Sequence, residues 1–232
     1  MSVLLLHGFT RDGSMWRPLL DGTAPNLPGH AGAAAPVGGF EGVVDALAGL
    51  LPAPFGVAGY SMGARLALCL AIRHPSRVSW LVLDGATLGL ATEAERAERR
   101  ARDATWATLL RERGIEAFSA AWAAQPLFGG APEAPERKRH DPLALAAALE
   151  VLGKGSMPWL GDGAAKVRCP VLLVNGSRDE RGLAEAARVA KAIPHARTCL
   201  VPGHHAAHLE APDAWRARVH PFLEGQLLEA TA

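Results

Sequence analysis

The sequence predicts an α/β protein: a mostly parallel, doubly wound sheet with a helical segment inserted between two of its strands. Three observations carry this. Short β-rich apolar runs alternate with helical segments at both ends of the chain, the rhythm of parallel strands joined by crossovers. From about Thr87 to Gly163 no strand-like run occurs. A glycine-flanked serine, Gly59-Tyr60-Ser61-Met62-Gly63, stands between a strand and a helix.

Val3–Leu6 is a short continuous apolar run that ends at His7-Gly8, as expected of a strand buried on both faces. Gly13–Leu20 reads as a short helix, and Thr23–Gly32, rich in Pro, Asn and Gly, as a loop. Val43, Val44, Leu47, Leu50 and Leu51 place an apolar stripe on a helix over Phe40–Leu51. Phe55–Tyr60 is a strand. Ser61–Arg73 is a helix that His74-Pro75 stops, because a proline disfavours helical backbone in the residue before it. Val78–Leu83 is the next strand. In the middle, Glu93–Arg113 and Ile115–Ala124 read as helices, and Pro126–Pro135 as a Gly/Pro-rich connector. A third helix, Leu143–Leu152, is opened by Asp141 as N-cap and Pro142 as first residue. The βα rhythm then returns with strands Val171–Asn175 and Thr198–Val201 and helices Leu183–Ile193 and Ala211–Leu228. The expected organisation is a core from residues 1–86 and 164–232 and a helical lid from 87–163.

Composition narrows the function. The 232 residues are 49% apolar and 20% charged, with a formal net charge of +1. Acids and bases are mixed along the chain, which predicts neither nucleic-acid nor membrane-surface binding. Three cysteines, widely spaced and without a C-x-x-C pair, predict neither a disulfide framework nor a zinc site, and Cys69 and Cys199, inside apolar runs, are expected to be buried thiols. Met1–Leu6 is too short and lacks the basic start of a signal peptide, and no apolar run is long enough to span a bilayer. The expectation is a cytoplasmic protein. No metal or organic cofactor is expected either, since no H-E-x-x-H, P-loop or G-x-G-x-x-G pattern occurs.

The chemistry is read from three segments. In Gly59-Tyr60-Ser61-Met62-Gly63, a serine on a sharp strand-to-helix turn presents its hydroxyl as a nucleophile. His7-Gly8-Phe9 closes the first strand. The Phe9 and Met62 backbone N–H groups are the expected oxyanion donors, while the His7 side chain is read as structural. Pro202-Gly203-His204-His205-Ala206-Ala207-His208-Leu209-Glu210 follows the last strand and supplies the base. His205 is preferred, with His204 the alternative one register away and His208 a structural partner. Two acids can orient that base: Asp179, just past a strand in Asn175-Gly176-Ser177-Arg178-Asp179, which is preferred, and Asp84 at the end of Val78–Leu83.

These motifs resemble the α/β-hydrolase superfamily, and the likeness extends further, to the family of 2-succinyl-6-hydroxy-2,4-cyclohexadiene-1-carboxylate (SHCHC) synthases. It runs through Leu6-His7-Gly8-Phe9 with Trp16, Leu27-Pro28-Gly29-His30, and the serine motif continued by Ala64-Arg65. In the lid it includes Thr92 to Arg100, Ile115-Glu116-Ala117-Phe118, Trp122, Gln125, Pro126 and Phe128. The resemblance implies a lyase of menaquinone synthesis that removes a proton and eliminates pyruvate, with Ser61, His205 and Asp179 as its triad. It implies an anionic small-molecule substrate held by Tyr60, Arg65, Arg99, Trp122 and Arg137, with Arg139 close to the last of these. From the residues alone, Arg99 and its neighbours interleave with glutamates as a solvated, salt-bridged helix face also would. Leu152-Gly153-Lys154-Gly155-Ser156 stands where the family more often has a Gly-Thr-Gly run, a departure that bears on specificity. A carboxylesterase, thioesterase or carbon–carbon bond hydrolase would use the same triad. Neither the oligomeric state nor the opening of the lid is legible.

Overall fold

In the computed structural model, which describes residues 2–129 and 134–229, the sheet has five strands: β1 Val3–Leu6, β2 Phe55–Tyr60, β3 Val78–Asp84, β4 Val171–Gly176 and β5 Arg197–Val201. All four pairings are parallel, and the strands lie side by side in chain order. The register pairs Leu6 with Gly59, Tyr60 with Asp84, and Asp84 with Val174. The loops that follow β1 to β4 therefore emerge together along one carboxyl edge, where ligand sites of parallel sheets are built.

Alternation along the strands divides the core in two. Leu4, Leu6, Val57, Leu81, Leu83, Val171 and Leu173 face one layer, made by α1 (Gly39–Ala48), α2 (Met62–Arg73), the short α5 (Gly161–Ala164) and α6 (Glu180–Ala192). Leu5, Ala58, Tyr60, Trp80, Val82, Leu172 and Val174 face the other, closed by a 3₁₀ turn over Gly13–Trp16 and, past the short α7 (Ala207–Glu210), by α8 (Pro212–Glu229). Because strand order follows chain order, the crossover helices share one face, and the second face depends on the 3₁₀ turn and the terminal helix. Trp16 and Trp215, both almost fully buried, meet edge-on there at 6.1 Å.

Between β3 and β4 the chain forms α3 (Glu93–Ala123) and α4 (Pro142–Leu152). Thr92 and Glu95 cap α3 reciprocally, and Asp141 caps α4 by accepting from the Ala144 N–H at 2.8 Å. Helix α3 breaks at Gly114, whose φ of 74° and ψ of −175° leave helical space at the boundary expected between Arg113 and Ile115. A separate apolar cluster, Ala107, Leu110, Ile115, Phe118, Leu145 and Ala146, joins α3 to α4. Residues 130–133 of the Gly/Pro-rich connector lie outside the described residues.

The segment before α4 is tied to the loop after β1. Arg11 is ion-paired with Glu136, and the Arg137 guanidinium donates to Thr10 Oγ1 and the Ser119 carbonyl, both at 3.2 Å. Three histidines continue the junction. His7 accepts the Leu27 N–H at Nε2 (2.8 Å), and His140 accepts the Ala31 N–H at Nδ1 (2.9 Å). His30 packs edge-on between them, 4.9 Å from His7 and 5.3 Å from His140. Burial lowers the pKa of all three, that of His7 to about 4.

Neutral burial gives a signed prediction. The unfolded rings take up protons below their ordinary value of about 6.5, whereas the folded rings do not until lower pH, so stability is lost as pH falls. His7 alone accounts for about 3 kcal/mol between pH 6.5 and 4. Urea unfolding is expected to give a lower midpoint at pH 4.5 than at pH 7.5, with a shallower pH slope in His7→Asn. Equal slopes in the two proteins would contradict the account.

Candidate active site

The site begins with a packing constraint. A Cβ on Gly63 would lie 2.0 Å from the Leu6 carbonyl oxygen, and one on Gly59 would lie 2.4 Å from that of Gly63. Only glycines let β1, β2 and the start of α2 approach this closely. The turn they enclose holds Ser61 at φ 49°, ψ −101°, away from the usual L-residue wells. Its N–H donates to the Asp84 carbonyl at 2.8 Å, which fixes the turn to the end of β3.

His205, in the loop between β5 and α7, reaches back over the carboxyl edge. Its Nε2 is 3.0 Å from Ser61 Oγ, and its Nδ1 is 2.8 Å from Asp179 Oδ2. In the neutral tautomer this requires, Ser61 donates to Nε2 and Nδ1–H donates to the carboxylate. Asp179 is also the N-cap of α6, accepting the Gly182 N–H at 2.9 Å on its other oxygen. Burial acts to raise the Asp179 pKa, but hydrogen bonding and charge from His205, the Gly182 N–H and the Arg181 charge together hold it below the usual carboxylate value. Gly85, at φ 68°, lies under the ring, and a Cβ there would come within 2.9 Å of His205 Cε1.

The competing residues go elsewhere. Asp84 is buried in the second layer, where it accepts the Trp215 indole N–H at 2.9 Å and pairs with His208 Nδ1 at 3.1 Å. His204 turns outward to Glu210, which accepts its backbone N–H at 2.8 Å.

Ser61 and His205 open onto a cavity of about 290 Å³ between the sheet edge and the α3–α4 segment. Phe9, Met62, Arg65, Arg99, Trp122 and Asp179 line it. The Met62 N–H begins α2, where first-turn donors have no acceptor within the helix. Among the described residues no acceptor takes the Phe9 N–H. Arg65 is buried and donates to the Leu152 carbonyl at 2.8 Å; burial, then the nearby Arg99 charge, lower its pKa to about 9, and it stays cationic at neutral pH. Arg99 Nε donates to Asp103 Oδ1 at 2.9 Å, one turn along α3. Trp122 stacks on Phe118 and meets Phe9 edge-on at 5.2 Å, so it belongs both to the packing of α3 and to the cavity wall.

Two of the sequence-derived residues are not at this wall. Tyr60 lies beneath it, its ring 4.2 Å from His208 and 5.5 Å from His205, and burial pushes its phenol pKa up. The aromatic body of Tyr60 is part of the second core layer, which is why it faces away from solvent. Arg137 is buried at the junction between Thr10 and the Ser119 carbonyl, where its charge serves the joint between the inserted helices and the β1 loop. Conversely, Trp106, Gln125, Lys154, Arg181 and Glu185 line the cavity without having been singled out as contacts. Gln125 carried part of the lid resemblance, and the Gly-Lys-Gly run pointed to Lys154. Among the described residues no three His, Cys, Asp or Glu side chains converge as metal ligands, and no helix is long and apolar enough to cross a membrane.

The alpha/beta hydrolase family model matches residues 3–218. The 2-succinyl-6-hydroxy-2,4-cyclohexadiene-1-carboxylate synthase of Salmonella newport is 33% identical over 231 residues, which cover 91% of this chain and 89% of that one. Among solved structures, MenH from S. aureus superposes with a TM-score of 0.89 at 28% identity, over 98% of this chain and 94% of its own. A thermophilic esterase from Thermogutta terrifontis, 24% identical with a TM-score of 0.80 over 97% of this chain and 90% of its own, shares the fold.

Gly85→Ala tests the support beneath the histidine. A Cβ at that φ strains the backbone by about 1 kcal/mol and pushes the ring off Ser61. Covalent labelling of Ser61 by a fluorophosphonate is expected to slow by on the order of 10²-fold with only a few degrees' loss in Tm. Labelling at the unaltered rate would show that the ring does not need this contact.

Proposed function

The chain belongs to the alpha/beta hydrolase family and, within it, to the 2-succinyl-6-hydroxy-2,4-cyclohexadiene-1-carboxylate synthases, and from that premise we propose that it eliminates pyruvate from 2-succinyl-5-enolpyruvyl-6-hydroxy-3-cyclohexene-1-carboxylate to give SHCHC. The observation that carries this reading is a complete Asp179–His205–Ser61 relay ending in a cavity walled by Arg65 and Arg99. A hydrolase also needs the relay. The buried arginine beside it matches a substrate with several carboxylates, which guanidinium groups bind as paired acceptors.

In the proposed mechanism the proton next to the succinyl carbonyl is the acidic one. Ser61 Oγ takes it as its own proton passes to His205 Nε2. Asp179 holds Nδ1–H and stabilises the imidazolium that forms. The Phe9 and Met62 N–H groups stabilise negative charge on the carbonyl oxygen. Electrons then shift through the ring alkene, the C–O bond to the enolpyruvyl group breaks with its electron pair going to oxygen, and pyruvate leaves as its enolate, which is protonated as the His205 imidazolium gives up its proton. No bond to Ser61 forms, so water has no acyl-enzyme to attack. Residues 87–163 act as a lid over the core of residues 1–86 and 164–232, with Trp122 and Phe9 closing the cavity between them. Arg137 and Tyr60 contribute from behind the wall, by holding the lid junction and backing the histidine.

The test is a coupled assay in which the preceding enzyme generates the unstable precursor in place and pyruvate release is followed. The chain is expected to accelerate release, and Ser61→Ala to lose on the order of 10²- to 10⁴-fold of that acceleration with Tm unchanged. No acceleration over the spontaneous rate would make the chain a hydrolase with the same triad. Arg99→Ala is expected to raise KM about tenfold or more with little change in Tm. An unaltered KM and kcat would return Arg99 to its ion pair with Asp103 alone.

A further inference from the structure

Lys154 sits in the turn between α4 and α5, and the turn is pressed against α3. A Cβ on Gly153 would lie 2.4 Å from the Leu149 carbonyl oxygen and 2.7 Å from Asp103 Oδ2, and one on Gly155 would lie 2.8 Å from the Arg100 backbone nitrogen. Two glycines thus fix the backbone, and the lysine between them lines the Ser61 cavity while only 8% exposed. Its Nζ donates to Glu185 Oε1 on α6 at 2.8 Å. Glu185 cannot swing to take more, because its other oxygen accepts from Thr87 Oγ1 at 2.6 Å and Arg188 stands 3.8 Å away.

An ammonium carries three donors. Among the described residues Glu185 is the one hydrogen-bond acceptor for Lys154, so two donors of a nearly buried cation remain for whatever enters the cavity. The charge balance points the same way. Arg65, Arg99, Arg102, Lys154 and Arg181 line the cavity against Asp103, Asp179 and Glu185, five cations to three carboxylates. Each of those carboxylates is engaged, Asp103 by Arg99, Asp179 by His205 and Glu185 by Lys154. Arg65 and Arg99 form one positive region, with Asp103 beside them. Lys154 lies nearest the Arg181 charge, on the side of α6, with the Arg65 charge next.

We propose that Lys154 binds a second carboxylate of the ligand, separate from the one at Arg65 and Arg99, and so selects dianionic over monoanionic ligands. This rests on the reading of the cavity as a site for an anionic substrate, but not on pyruvate being released there.

The experiment is calorimetric titration of the full chain with three stable probes. One is the dicarboxylate 4-(2-carboxyphenyl)-4-oxobutanoate. The others, 4-oxo-4-phenylbutanoate and 2-butanoylbenzoate, each lack one of its carboxylates. Lys154→Met is expected to weaken the dicarboxylate and just one monocarboxylate about tenfold, leaving the other within about twofold. Lys154→Arg should retain the wild-type order. Glu185→Gln, which frees the ammonium of its counter-ion, should tighten the dicarboxylate, whereas an ion pair that only joins lid to core predicts weaker binding in both variants. Equal weakening of all three probes by Lys154→Met, or none, overturns the proposal. The selective pattern in a chain that releases no pyruvate would uphold the Lys154 subsite and remove only the reaction.

Discussion

Everything at the carboxyl edge of the sheet depends on how closely the start of α2 approaches β1. The Gly63 position touches the Leu6 carbonyl so nearly that no side chain fits. That contact allows the sharp turn in which Ser61 takes a backbone conformation few L-residues adopt. The strain is sustained by the register of the sheet, since the Ser61 N–H is held by the Asp84 carbonyl one strand away. The hydroxyl is thereby lifted out of the sheet to the position where a residue from the far end of the chain can meet it.

Asp179 and His205 are held by separate elements with their own reasons to stay put. Asp179 begins α6 and satisfies an orphan N–H of that helix, so its orientation serves the fold and the relay together. His205 is placed by the β5–α7 loop and rests over Gly85. Asp84, the other acid within reach in sequence, is spent on Trp215 and His208 inside the second core layer. The alternation of the strands decides this. Tyr60, paired with Asp84 in the sheet, packs its ring into that same layer against His208.

The inserted helices complete the site by packing and by charge. Aromatic contacts from Phe9 to Trp122 and from Trp122 to Phe118 and Trp106 join the β1 loop to α3. The Arg11–Glu136 pair, Arg137 and the edge-on row His7–His30–His140 join it to the segment before α4. The cavity thus has an apolar side around Phe9 and Trp122 and a cationic side around Arg65, Arg99 and Lys154.

The strands, the helices and the three chemical motifs were legible in the sequence because each is a local property. Apolar alternation, a proline after His74, Asp141-Pro142 at a helix start and a glycine-flanked serine act over a few residues, and the structure places the strands within a residue of the expected bounds, while the helix expected over Gly13–Leu20 shrinks to Gly13–Trp16, that over Phe40–Leu51 ends at Ala48 and that over Leu183–Ile193 begins at Glu180. The choice of Asp179 over Asp84, and of His205 over His204, could only be preferred, since it turns on which side of the sheet each side chain meets. Arg99 could be read as part of a salt-bridged helix face or, from the resemblance, as a substrate contact; in three dimensions it pairs with Asp103 and lines the cavity. Tyr60 and Arg137 carry motif positions yet fall behind the wall, while Lys154 and Arg181 reach it. What the sequence determined by itself was the set of elements and the reactive groups they carry. Which groups share a cavity was decided by tertiary structure, because that depends on the register of five strands and on the docking of α3 and α4, interactions between residues far apart in the chain.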